Sequence, residues 1–284
     1  MNWIVSKKEM GNNLLQLEIN APDIVATWQP GQYVNLKISE NTGKIPAYIS
    51  EANQLKGSIK LYLHRTHIDS HLLSGLNAGH EVFEVSGPFG DPFETEYFGT
   101  VLCAAEASGI VPVYPAIKSL KAAGNHVIVL LSAKIDDYIF LEKEIREFAD
   151  EVLVMTDDGS SGKQGLLIQG MKEIIRREKI NKIYTTGSAH LVKYASLLLQ
   201  KHTIANSVFL FSKMGLSNGG GLIYSISTVS GSKAICVDGP EFNAYYSNLD
   251  DLVQHLGNQE EDKFTGNQDY QKAVNTLEYS YVVY

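Results

Sequence analysis

The chain has 284 residues, 44% hydrophobic and 20% charged, an ordinary balance for a soluble globular protein and enough length for two cores plus an appendage. Its 32 acidic and 24 basic residues leave a net charge of −8, which excludes nucleic acid and anionic membrane as preferred partners, because both demand basic patches. Two cysteines cannot build a disulfide framework, no run reaches the roughly 18 apolar residues of a membrane span, and "MNWIVSKKEMGNN" lacks the basic-then-apolar order of a signal peptide, so a cytoplasmic protein is expected.

Residues 1 to about 98 read as β-rich. "LLQLEI" (14–19), "YVNLKI" (33–38), "SIKLYLH" (58–64) and "EVFEVSG" (81–87) alternate apolar and polar residues over short spans. Glycine or proline in "QPGQYV" and "LNAGHEV" supplies turns ahead of strands. This spacing predicts a small antiparallel barrel, with one helix-like insert, "DSHLLSGL" (69–76).

The rhythm changes at "GPFGDPFETEYFG" (87–99), a junction punctuated by glycine and proline. Strands are then predicted at 100–105, 126–133, 151–159 and 182–188, alternating with helices at 109–124, 140–150, 164–179 and 189–202. Apolar strands alternating with amphipathic helices predict βαβ units and a doubly wound parallel sheet. Ligands bind such sheets at the carboxyl ends of the strands, where the strand order reverses. The ends of interest are "AAEASG" (104–109), "TDDGSSGKQG" (156–165) and "TTGS" (185–188). From about 208 the rhythm fails again, "GSKAICVDGPEF" reads as a strand and turn, and the polar tail closes on "YSYVVY". The expected class is β + α/β: an N-terminal antiparallel barrel (1–98), a doubly wound nucleotide-binding domain (99–207) and a small C-terminal lobe with a tail (208–284).

"PGQYV" (30–34), "GPFG" (87–90), "SGIVPVYPAIKSLKAAGN" (108–125), "TDDGSSGKQG" (156–165) and "CVDGPEF" (236–242) resemble the ferredoxin–NADP reductase superfamily. The branch they resemble holds the small subunit of NADH-dependent reduced ferredoxin:NADP oxidoreductase and the electron-transfer subunit of type B dihydroorotate dehydrogenase. The resemblance implies FAD between two domains, NAD(P)H on the second, a 2Fe-2S cluster in the C-terminal lobe, and a larger flavoprotein or iron–sulfur partner.

Several positions depart from that pattern. Counting back from Cys236, the slots that the family's C-x4-C-x2-C spacing assigns to ligands hold Leu216, Gly221 and Tyr224, none of which ligates iron as a thiolate does. No cluster is therefore expected, no metal site is assigned, and Cys236 reads as a relic ligand. In the Gly-rich phosphate turn the family's glycines give way to Ala105, Glu106 and Ala107, leaving Gly109. A carboxylate is stabilised at a helix N-terminus, so Glu106 is expected to take the place of a phosphate and to weaken or abolish NAD(P)H binding; a swung-out Glu106 binding a ribose hydroxyl is the alternative. Asp157, Asp158, Gly159 and Gly187 stay as nucleotide-site candidates.

At the flavin motif the resemblance places Lys44 on the FAD phosphate, Pro46 in the motif's middle position, and Tyr48 where a hydroxyl reaches the flavin, either stacking on it or filling its space. Lysine keeps the charge but loses the bidentate fork of arginine, and Tyr48 is bulkier than the family's Ser or Thr. Ser70 stands as a second phosphate contact, next to an unfavourable Asp69. FAD retention stays open at this point. His64, His67 and His71 share a helical spacing but begin inside a predicted strand, and they read as solvated or hydrogen-bonded rather than metal-binding. Asp136–Asp137 reads as a helix cap, and "YSYVVY" as a strand packing on its own domain. Two functions follow: an electron-transfer oxidoreductase subunit without its own cluster, or a cofactor-poor scaffold or regulatory subunit of a redox complex. Catalytic residues are not assigned.

Overall fold

Alternation along the first third of the chain gives each strand one apolar face, and those faces close on a common core. The computed structural model describes residues 2–10, 14–64, 76–200, 202, 204–209, 225–234, 239 and 241–250. β1 (Asn2–Glu9), β2 (Leu14–Asn20), β3 (Tyr33–Lys37), β4 (Ile45–Asn53), β5 (Ser58–His64), β6 (Glu81–Val82) and β7 (Glu84–Phe89) form an antiparallel sheet. Its order is β6-β1-β2-β5-β4-β3-β7. The two edge strands are separated in the chain by Phe83 alone, so the sheet has to curl back on itself into a barrel. The single strand expected over 81–87 is broken at that residue. Helix α1 (Pro22–Thr27), with Pro22 in its first turn, covers one end. Ile4, Leu17, Ile19, Val34, Leu36, Ile49, Ile59 and Leu61 are fully buried in the barrel core.

The second sheet is doubly wound. β8 (Thr100–Glu106), β9 (His126–Ala133), β10 (Glu151–Thr156), β11 (Lys163–Gln164), β12 (Lys182–Thr186) and β13 (Ala205–Phe209) run parallel. A hairpin of β14 (Ser225–Thr228) and β15 (Gly231–Ala234) follows, and β16 (Glu241–Asn243) adds antiparallel to β13. The order β11-β10-β9-β8-β12-β13-β16 puts the reversal between β8 and β12. Helices α2 (Ile110–Ala122), α3 (Glu142–Arg146), α4 (Leu167–Arg177) and α5 (Ala189–Gln200) cover the sheet. The helix expected over 140–150 shrinks to α3, its start moved to Glu142 by the left-handed φ of +60° at Leu141. Asp136 and Asp137 lie in a separate 3-10 turn, Asp136–Tyr138, and α3 carries no side-chain cap; the capping expectation is thus corrected. No helix among the described residues is long and apolar enough to cross a membrane.

One core joins the two sheets. Leu14, Tyr33, Tyr48 and Tyr62 of the barrel share a buried cluster with Ile110, Val113, Tyr114 and Ile117 of α2 and with Phe209 of β13. Two polar devices fix the junction. Asn125, 1% exposed, accepts N–H bonds from Phe98 (2.7 Å) and Gly99 (3.1 Å) and donates to the carbonyls of Glu96 and Leu120, so the linker is held by a single fully satisfied side chain. Gly90, at φ +81°, lies so close to the C-terminal segment that a Cβ there would sit 2.9 Å from the Gly239 carbonyl, which also accepts the Asp91 N–H at 2.9 Å. Gly239 thus docks on "GPFG", and Glu241–Asn243 form β16, where Phe242 is 7% exposed. Packing of this kind gives Gly239 and Phe242 a structural role of their own; Cys236 itself and positions 216, 221 and 224 lie outside the described residues, as do Ser70, Asp69, His67, His71 and the tail.

Candidate functional site

The carboxyl ends of β8 and β12 meet at the reversal point, Ala105 pairing with Thr186. β8 is apolar and fully buried along its centre because helices cover both faces; only its last residue, Glu106, carries a charge. The Glu106 carboxylate turns toward β12 and accepts the Ser188 N–H at 3.0 Å. Ser188 immediately precedes α5, and its own Oγ accepts the Leu191 N–H at 3.3 Å. The carboxylate therefore sits at the N-terminus of α5, where unpaired N–H groups and the helix dipole favour a negative charge. Sequence reasoning had aimed it at α2, the helix that follows it in the chain.

The backbone is shaped around this contact. Gly187 takes φ +149°, and a Cβ there would lie 2.7 Å from both Glu106 Cβ and Leu191 Cδ2, so only glycine fits beneath the carboxylate. Ala107 holds φ +48°, a left-handed conformation that costs a residue with a Cβ about 1–2 kcal/mol. A Cβ at Gly109 would approach Thr186 Oγ1 at 3.0 Å. Thr186 Oγ1 and His190 Nδ1 are buried with no hydrogen-bond partner. Burial pushes the His190 imidazole below its ordinary range, with Lys193 repelling the proton and Glu106 partly opposing. The structure thus brings Gly109 and Gly187 together with Glu106, and with Thr186 and Ser188 of the "TTGS" strand end, and adds His190, which the sequence reading had not singled out. The signal for the hydroxyls was present in "TTGS", where they flank the glycine.

Asp157, Asp158 and Gly159 lie in the loop after β10, two strands from β8. Asp158 Oδ1 accepts both the N–H and the hydroxyl of Ser160 (2.9 and 2.6 Å), which hold its carboxyl below the usual range. Thr156 and Ser161 exchange two further bonds. A loop satisfied from within in this way has a folding reason for its sequence.

The flavin-motif residues lie on and before β4. Lys44, at the rim, donates to Glu84 Oε1 at 2.8 Å, and its side chain is 52% exposed. Pro46 is half-buried. Tyr48 is 6% exposed within a tyrosine group: its ring lies 6.0 Å from that of Tyr33, which in turn lies 5.7 Å from Phe89. Tyr62, facing Tyr48 across the ladder, accepts a 2.7 Å bond from Gln16, and burial raises its phenol pKa so that it stays protonated. In type, an accessible cation and a wall of aromatic rings suit a flavin nucleotide; the ring of Tyr48 replaces the short hydroxyl of the resembling pattern. Separately, a cleft of about 550 Å³ opens between the β4–β5 turn and α2. Its charges neutralise one another, Glu51 lying between Lys60 and Lys118.

No family model matches the chain. It is 31% identical over 258 residues to a dihydroorotate dehydrogenase B (NAD(+)) electron transfer subunit homolog of Thermotoga maritima, covering 90% of both chains. To the electron transfer subunit of Desulforamulus reducens it is 27% identical over 241 residues, covering 82% of this chain and 92% of that one. Among solved structures it superposes on a chain of the NADH-dependent reduced ferredoxin-NADP oxidoreductase with a TM-score of 0.81 at 27% identity, covering 96% and 98% of the two chains. A ferredoxin reductase of carbazole 1,9a-dioxygenase shares the fold, with a TM-score of 0.58 at 15% identity over 72% of this chain and 65% of that one.

Proposed function

The chain belongs to the family of dihydroorotate dehydrogenase B electron-transfer subunits and their homologues, and from that membership we propose how it works as an electron-transfer oxidoreductase subunit of the ferredoxin–NADP reductase type. In this reading it holds FAD against the barrel and exchanges electrons with a larger flavoprotein or iron–sulfur subunit in the cytoplasm. The observation that carries the reading is the end-to-end match in both sequence and fold, at 90% of both chains and a TM-score of 0.81. Residues 1–98 are then the FAD-binding-type barrel, 99–207 the NAD(P)-binding-type domain and 208–284 the C-terminal lobe.

Bound FAD would supply the redox chemistry, and the protein its placement and electrostatics. Lys44 offers the pyrophosphate a point charge on a flexible stem, once it leaves Glu84. Tyr48, buried beside Tyr33, offers a ring edge and a hydroxyl and keeps water out of the layer between the sheets. Tyr62, protonated and anchored by Gln16, holds Tyr48 from the neighbouring strand. A visible absorption spectrum of the purified full chain tests the reading: a flavin band supports it, and a colourless protein that takes up no added FAD overturns it in favour of a cofactor-poor scaffold.

A further inference from the structure

The resembling pattern assigns its dinucleotide-phosphate turn to residues 105–109, where Glu106 stands, and the residues present do not fit a pyrophosphate there. A dinucleotide brings negative charge to backbone N–H groups at the strand ends. Here the Ser188 N–H is already taken by the Glu106 carboxylate at 3.0 Å. An entering phosphate would meet that charge in a partly buried place, where repulsion is poorly screened. The contact is built rather than incidental: Gly187 leaves the space beneath it, and Ala107 accepts a left-handed φ of +48° directly after it.

We infer that Glu106 is an intramolecular anion that occupies the phosphate position at the switch between β8 and β12, so that this chain exchanges electrons with protein partners without binding NADH or NADPH itself. The seat is filled, not dismantled. Gly109 and Gly187 remain, and Thr186 Oγ1 stands buried and unpartnered beside Gly109, so removing one side chain should reopen it. The choice of a dinucleotide as the excluded ligand rests on the electron-transfer reading above; the occupancy of the seat does not.

The test is calorimetric titration of NADH and NADPH into the full chain as wild type, Glu106→Gly and Glu106→Gln, with flavin content and thermal unfolding measured on each. Wild type should show no saturable binding up to about 1 mM, the upper end of ordinary KM values. Glu106→Gly should bind at least about tenfold more tightly, a gain of about 1.4 kcal/mol. Glu106→Gln, which keeps an acceptor for the Ser188 N–H but drops the charge, should move in the same direction by less. Micromolar binding by wild type, or a folded Glu106→Gly variant no tighter than wild type, overturns the inference. If Glu106→Gly fails to fold, Glu106→Gln decides: a gain supports the plug, and equality with wild type refutes it. A colourless protein that gains nucleotide binding on substitution sinks the flavin reading and leaves this one standing.

Discussion

Replacing Tyr48 by serine restores the short hydroxyl of the resembling flavin motif and removes a ring from the layer between the two sheets. Tyr48 is 6% exposed and clustered with Tyr33, Tyr62, Phe93 and the α2 face. Large-to-small substitution of a buried aromatic costs about 3–5 kcal/mol, from lost transfer energy plus the cavity left behind. At about 2–4 °C per kcal/mol for a chain of this order of size, the melting temperature should drop by roughly 6–20 °C. Differential scanning fluorimetry without added flavin reads that drop, and Tyr48→Phe should lose far less. FAD at about a hundred times its Kd should return about 2.7 kcal/mol to the serine variant, since on the proposed reading the space vacated by the ring adjoins the flavin. Unchanged melting of Tyr48→Ser without FAD would show that the ring is not a core element. A full drop with no recovery at saturating FAD would show that the cavity is not a flavin seat.

Three further outcomes follow from the same packing. Burial holds His190 below its unfolded pKa of about 6.5, so the stability it contributes is present above that value and lost as pH falls through it toward the folded value. Urea melts between about pH 7.5 and 5.5 should show this decline, and His190→Asn should flatten it. Lys182, 9% exposed, stands 3.8 Å from Glu241 and 3.9 Å from Glu94. Burial already raises the Glu241 carboxyl, so Lys182→Met should cost about 1–3 kcal/mol at neutral pH. That deficit should shrink as pH falls below the raised pKa and Glu241 takes up a proton; a deficit unchanged between about pH 7 and 4 would refute the pairing. Asn125→Ala strands two linker N–H groups, Phe98 and Gly99, and should destabilise by about 2–4 kcal/mol and open the 91–99 segment to protease; intact resistance would contradict the anchoring role.

The switch from short alternating strands to apolar strands with amphipathic helices was written in local pattern, and so was the reading of a barrel followed by a doubly wound sheet. β2, β5 and β9 match their expected spans to within one residue, because alternation and apolar runs are properties of the strand itself. β6, α3 and the Asp136–Tyr138 turn were misread, since the break at Phe83 and the left-handed φ of Leu141 depend on how neighbouring elements meet.

The departures at the site were likewise legible residue by residue. Glu106 in place of a glycine and Tyr48 in place of a short hydroxyl needed no coordinates to be noticed. Only the tertiary structure decided what each one does. Glu106 was expected at the helix that follows it in the chain, yet it bonds to Ser188, 82 positions away, because the strand order sets β8 beside β12. The roles of Gly239 and Phe242 have the same kind of cause. A carbonyl at Gly239 against Gly90 and a phenylalanine closing the sheet edge are long-range contacts, and long-range contacts have no period for a sequence to display.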